Sequence, residues 1–269
     1  MKPIAVIGLS CLFPEADKPK QFWENLLQDI NSCTIAIEEN LGADPLRYTA
    51  NKKGISDKFY SSRGGYIRNF SMDPEGFQLP PETINQLGPT FQWPLYTARE
   101  ALLDSGYLNR AEVLEKCGLV LGNLSFPTRE SNHLILPIYQ KALQKLMREA
   151  LGRPEFSLHP FLDKKDVALE NSHISGLPAS IVAQSLGLSS CRFSIDSACA
   201  SSLYAVALAC NYLSGEETEM MLAGGVSAAD PFFVNMGFSI FQAYPESDER
   251  SNPLDNNSGG LYALSLIHI

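Results

Sequence analysis

Arg192-Phe193-Ser194-Ile195-Asp196-Ser197-Ala198-Cys199-Ala200-Ser201-Ser202-Leu203 is the stretch from which the fold of this chain is read. Phe193 and Ile195 fall on one face of a short β-rich run, which predicts a strand over Cys191 to Asp196. A tight run of small residues follows. It leads into the apolar segment from Ala200 to Leu213, whose composition predicts a helix that is buried. Cys199 therefore stands where a strand ends and a helix begins. A thiol at that junction meets the positive end of the macrodipole and unpaired N–H groups, which favour the thiolate. Small neighbours leave room for a substrate carbonyl, and the Cys199 N–H can serve as an oxyanion donor. The layout is analogous to a nucleophile elbow without that motif's glycines. A lone cysteine at a helix start is more often a small buried residue, so the surrounding string has to carry the assignment.

Outward from this stretch, strands and helices alternate. Ile4-Ala5-Val6-Ile7-Gly8 predicts a buried strand, and a helix is predicted from about Pro19 with Phe22, Trp23, Leu26 and Leu27 on one face. Residues 31–80 read as loops with small strands. A helix is predicted from Gln92 to Ser105, with Pro94 in its first turn and Gly106 ending it. Cys117 to Gly122 predicts a strand, Ile135 to Leu151 an amphipathic helix, Pro178 to Leu186 a short helix and Met220 to Ala223 a strand. The predicted class is α/β, a mostly parallel sheet with helices on both faces, in one domain.

The chain has 269 residues, 45% hydrophobic and 19% charged, with a net charge of −9. That balance fits a globular domain and argues against nucleic acid or anionic membrane as a partner, since counterion release needs clustered Lys and Arg. No apolar run is long enough to span a bilayer, and the start has no signal-like pattern, so a cytoplasmic location is expected. Cysteines at 11, 33, 117, 191, 199 and 210 form no C-x-x-C pair and no zinc spacing, which predicts no metal site.

Asp196-Ser197-Ala198-Cys199-Ala200-Ser201-Ser202-Leu203 resembles the active-site motif of β-ketoacyl synthases, D-[TS]-A-C-[SA]-S-[SG]-[LM], at every position. Ile4 to Gly8 with Phe13-Pro14 is similar to the start of the multidomain synthases. Glu100-Ala101-Leu102 with Asp104-Ser105-Gly106-Tyr107, and Leu222-Ala223-Gly224-Gly225-Val226, resemble later family segments. Gly88-Pro89-Thr90-Phe91-Gln92 stands where the family often has D-P-Q-Q-R. Phe91-Gln92-Trp93, Val120 to Leu124 and Tyr66-Ile67-Arg68 resemble synthases of polyunsaturated fatty acids and glycolipid-type long acyl chains.

The resemblance implies a thiolase-like fold of two similar halves, dimeric when complete, of which residues 1–263 are the first. It implies a 3-oxoacyl-[acyl-carrier-protein] synthase, an acyltransferase whose Cys199 takes an acyl group from phosphopantetheine. A malonyl-carrier thioester then decarboxylates and attacks the acyl-enzyme. No cofactor is bound by the domain itself; the implied partners are an acyl carrier protein and its acyl and malonyl thioesters. The family's two histidines and lysine come from the second half. His133, His159 and His173 precede the nucleophile, so no catalytic role passes to them. Residues 264–269 depart from the family's E-G-A-G-like continuation and read as a non-native tail, the product of a sequencing adapter, so the fragment is expected to be inactive alone. A non-catalytic scaffold of a megasynthase is the competing reading, ahead of a cysteine hydrolase using His173. Tyr204, Phe232, Phe233 and Phe238 are candidates for narrowing an acyl tunnel, with plain core packing preferred. Lys52, Lys53, Lys58, Arg63 and Arg68 form the densest basic stretch, a candidate carrier-docking surface beside the blander reading of a solvated loop.

Overall fold

The computed structural model describes residues 3–163, 165–245, 254–256 and 258–269. Strands in chain order are β1 (Cys11–Leu12), β2 (Thr34–Ile35), β3 (Arg63–Gly65), β4 (Cys117–Asn123), β5 (Arg192–Ile195), β6 (Met220–Ser227), β7 (Ala263–Leu264) and β8 (Leu266–His268). Helices are α1 (Pro19–Leu27), α2 (Glu38–Leu41), α3 (Pro45–Tyr48), α4 (Pro81–Gln86), α5 (Pro89–Asp104), α6 (Ala111–Leu114), α7 (Arg129–Leu151), α8 (Leu177–Leu186), α9 (Ser201–Ser214) and α10 (Pro231–Ile240).

The main sheet has the order β1-β8-β6-β4-β5, with β6, β4 and β5 parallel and β8 antiparallel to both of its neighbours. A smaller sheet, β2-β3-β7, gathers the loop-rich 31–80 region. On β4, Leu119 and Leu121 point into a core shared with Leu95, Ala98 and Leu102 of α5 and Val182 of α8. Side chains alternate across a strand, so Gly122 lies on the opposite face, where α9 packs. The α/β class and the helices on both faces are as expected from the sequence.

The predicted strand at Ile4 to Gly8 is not formed. The ladder begins only after it: β1 pairs antiparallel with β8, Cys11 lies opposite His268, and Ser10 exchanges two backbone hydrogen bonds with Ile269. Residues before Ser10 have no ladder partner among the described residues, and Val6 is 78% exposed. Strand propensity without a ladder partner does not make a strand. The helix predicted from Gln92 starts at Pro89, so Pro94 lies in its second turn rather than its first. Pro89 takes the first helical position, where a missing N–H costs nothing. The helix predicted from Ile135 starts at Arg129, capped by Thr128, whose hydroxyl accepts from the Ser131 N–H while Ser131 Oγ accepts from the Thr128 N–H.

The helix after Cys199 is not buried all round. Ser201, Ala205 and Ala209 face the sheet, whereas Leu203 is 73%, Tyr204 56% and Val206 46% exposed. Its sequence is apolar on both sides, and within this chain only one side has the sheet to cover it. Residues 264–269 take part in both sheets, with Ile267 fully buried between β1 and β6.

Candidate active site

Cys199 lies in a 3₁₀ turn, Ala198–Ala200, between the end of β5 and the start of α9. Ala198 takes φ = +51°, a left-handed conformation that an L residue with a Cβ adopts only when its surroundings enforce it. Two side chains do so. Asp196 accepts the Ala198 N–H at 3.0 Å with one oxygen and the Ser125 N–H at 3.1 Å with the other, tying the turn to the loop after β4. Ser201 accepts the Ser197 N–H at 2.9 Å and donates to the Ala198 carbonyl at 2.7 Å. The backbone N–H groups of Ser125 and Ala198 hold the Asp196 carboxyl below the usual carboxylate range. In the string that suggested the nucleophile, the first and sixth residues are thus the braces of the turn.

Helix α9 can reach the sheet because glycines lie beneath it. A Cβ on Gly122 would fall 2.7 Å from the Ser201 carbonyl carbon, and one on Gly225 would fall 2.7 Å from Ser202 Cβ. Both are shorter than real Cβ contacts, so any larger residue would lift the helix start and Cys199 with it. Among the described residues, the Cys199 N–H donates to no acceptor, while the N–H groups of Ser197, Ala198 and Ala200 are all engaged. That N–H is free to meet an acceptor from outside the turn.

Cys199 is exposed, and it lines a mostly apolar cavity of about 410 Å³. Leu124, Phe126, Val234 and Phe238 give the wall its apolar character, and Tyr66 and Asn235 add polar atoms. The other five cysteines are shielded from solvent to a greater degree. Burial pushes the Cys11 thiol up to about 11 and the Cys117 thiol up to about 12, and it raises Cys33 and Cys191 as well.

The aromatic candidates separate. Phe238 lines the cavity, whereas Phe232 packs edge-on against Tyr48 and Phe59 in a second small core. Phe233 is half exposed against Phe126, and Tyr204 lies on the open face of α9. His173 Nδ1 is 3.0 Å from Ser172 Oγ, and no hydrogen bond joins it to Cys199 among the described residues. Among the described residues the histidine that reaches the cavity is His268, which lies in the stretch 264–269 that reads as a tail; burial disfavours its charged form. The basic stretch is folded back on its own loops. Lys53 lies over the Tyr60 ring, Lys58 Nζ donates to the Arg47 carbonyl, and Arg68 donates to Thr34 Oγ1 and to Asn40 Oδ1. Among the described residues there is no cluster of metal-ligating side chains, and no helix is long and apolar enough to cross a membrane.

Known proteins resemble this chain in sequence and fold. The family model described as the β-ketoacyl synthase N-terminal domain matches residues 1–262. A polyunsaturated fatty acid synthase polypeptide of Thraustochytrium is 28% identical over 97% of this chain, which spans 12% of that protein. Polyketide synthase ThaG of Burkholderia thailandensis is 30% identical over 84% of the chain and 4% of its own length. Among solved structures, the PfaC keto synthase-chain length factor superposes with a TM-score of 0.90 at 45% identity, covering 98% of this chain and 28% of that one. An oxazolomycin ketosynthase domain from Streptomyces albus, at a TM-score of 0.71 and 19% identity, shows the same fold. With the motif, the glycine-seated helix and the family match extending over 1–262, the chain belongs to the β-ketoacyl synthase family, as its N-terminal domain.

Proposed function

We propose that Cys199 is the acyl-accepting nucleophile of a 3-oxoacyl-[acyl-carrier-protein] synthase that works in fatty acid or polyketide biosynthesis. The observation that carries this reading is the braced turn. It sets an exposed thiol, with its own N–H unengaged, at a helix start on the rim of an apolar cavity. The thiolate attacks the carbonyl of an acyl-phosphopantetheine thioester, a new C–S bond forms, and the carrier thiol leaves with a proton. A malonyl-carrier thioester then loses CO₂, and its carbanion attacks the acyl-cysteine. A C–C bond forms and the Cys199 thiolate is released. The apolar wall accommodates the alkyl part of the acyl group, and the Cys199 N–H stabilises the tetrahedral oxyanion.

The partners of this reading are an acyl carrier domain and the remainder of a condensing unit, which supplies the histidines and lysine of the decarboxylation step. The open apolar face of α9, with Leu203, Tyr204 and Val206 exposed, supports this, since such faces mark contacts with a partner. Within the unit, residues 1–263 form the functional part. In this reading residues 264–269 are the non-native tail, although they pair with both sheets.

The test is to incubate the synthase that carries this chain with an acyl thioester and map the adduct by mass. Acylation at Cys199 is expected. Acylation at another cysteine with none at Cys199 would overturn the assignment, and no adduct at any cysteine would favour a scaffold.

A further inference from the structure

Tyr66 and Asn235 form one of the polar sections of the cavity beside Cys199, apart from Ser202, Ser227, Ser265 and His268, and its hydrogen bonds can be counted. Tyr66, Asn235 and Tyr244 are 8%, 2% and 0% exposed. The Tyr66 hydroxyl donates its single proton to the Ser62 carbonyl at 2.7 Å, so its oxygen can only accept from Asn235. The side chain of Asn235 therefore turns its Nδ2 to Tyr66, at 3.2 Å, and its Oδ1 receives the Tyr244 hydroxyl at 2.8 Å. The Asn235 amide orientation is fixed by this logic rather than by appearance. Tyr244 is itself anchored, since its carbonyl accepts the Tyr60 hydroxyl at 2.9 Å. Burial pushes both Tyr66 and Tyr244 up, so the phenols stay protonated near neutrality and the pattern persists.

A carboxamide has two N–H donors, and Tyr66 takes one. Among the described residues the second has no acceptor, although Asn235 is buried and lines the cavity with Tyr66. A buried donor without a partner is costly, and a saturated alkyl chain filling the cavity cannot satisfy it. A chain carrying an acceptor can.

We propose that Asn235, held by Tyr66 and Tyr244, is a specificity-determining residue that favours acyl groups bearing a hydrogen-bond acceptor along the chain over saturated chains of equal length. The shared chemistry is acceptance of one N–H, by an oxo oxygen or by the π face of a carbon–carbon double bond. Selection arises because the wrong chain leaves the donor unpaired. The gain is modest, because an oxygen also loses water on entering. The inference rests on the reading that Cys199 carries the acyl group.

The experiment uses the synthase that carries this chain and three thioesters of one length: saturated, cis-olefinic and mid-chain oxo. Each is scored by the rate of adduct formation at Cys199. At least one acceptor-bearing chain should acylate about five-fold faster than the saturated chain, and whichever does so identifies the acceptor. Asn235→Leu should bring that ratio to about one. Tyr66→Phe, which removes the oxygen holding the amide but keeps the donor, should lower the ratio part-way and serves if Asn235→Leu does not fold. Equal rates for all three chains in the unaltered protein would mean that water satisfies the donor, and would overturn this inference while leaving the nucleophile assignment standing. A ratio unchanged in both variants would overturn it too. No adduct at Cys199 with any chain would overturn both readings.

Discussion

Helices α8 and α9 are both apolar and both pack on β4, yet they end in opposite situations. In α8, Pro178, Ala179, Ile181, Val182, Ala183 and Leu186 are all buried, because the helix lies on β4 and β5 with α5 packed alongside it on the same sheet. In α9 the sheet covers Ser201, Ala205 and Ala209, and the outer face is open. Similar composition therefore gives a finished layer in one place and an unfinished one in the other. The unfinished layer is the one that carries Cys199.

Charge placement tests this contrast most severely. Val182→Asp would bury an unpaired carboxylate between α5 and the sheet and is expected to prevent folding, whereas Leu203→Asp on α9 should leave the melting temperature of the fragment nearly unchanged and improve its solubility. Thermal melts of the two variants check it. Equal losses would show that α9 is covered in the fragment after all.

A smaller effect is expected where α9 meets the sheet. Gly122→Ala places a methyl 2.7 Å from the Ser201 carbonyl carbon, so the helix start must shift. A stability loss of about 1–3 kcal/mol is expected, as for overpacking generally. Cys199 acylation should fall by more than that loss explains, because the turn moves with the helix. Denaturant unfolding and acylation rates on the same variant separate the two contributions.

Asp196 sharpens the comparison in a different way, since it ties down the turn that α8 has no counterpart for. Its folded pKa is depressed, so its ordering of the turn is complete above its unfolded value of about 3.9 and is lost as pH falls through the lower folded value. Amide exchange at Ser125 and Ala198, corrected for intrinsic rates, should stay protected from pH 5 upward and accelerate only below about pH 4. Asp196→Ala should remove that protection at every pH and slow acylation about ten-fold, the loss of two charge-assisted hydrogen bonds at an exposed site.

The smallest effect is expected at the basic stretch. Reversing Lys52 and Lys53 should raise the apparent KM for a carrier-linked substrate no more than about two-fold at low salt, since the neighbouring cations are engaged with their own loops. A larger rise would return this surface to consideration as the carrier's docking site.

What the sequence determined alone is local. The strand at Arg192–Ile195, the tight turn and the helix after it follow from side-chain period and small residues within about twenty positions, and Cys199 is legible there. The start of α1 at Pro19 and the αL end of α5 at Gly106 follow from backbone rules of single residues. The tertiary structure decided whatever needs a partner distant in the chain. Ile4 to Gly8 has strand composition and stays unpaired, because a ladder is made by two segments. Phe232 and Phe238 lie on one helix, and only packing sends the first to a core and the second to the cavity. Asp196 and Ser201 read as motif letters until their hydrogen bonds across the turn are seen, and Asn235 has no sequence signal because its acceptor, Tyr66, lies 169 residues away. Propensity acts within a few residues, whereas burial and hydrogen-bond satisfaction depend on neighbours that only the folded chain brings together.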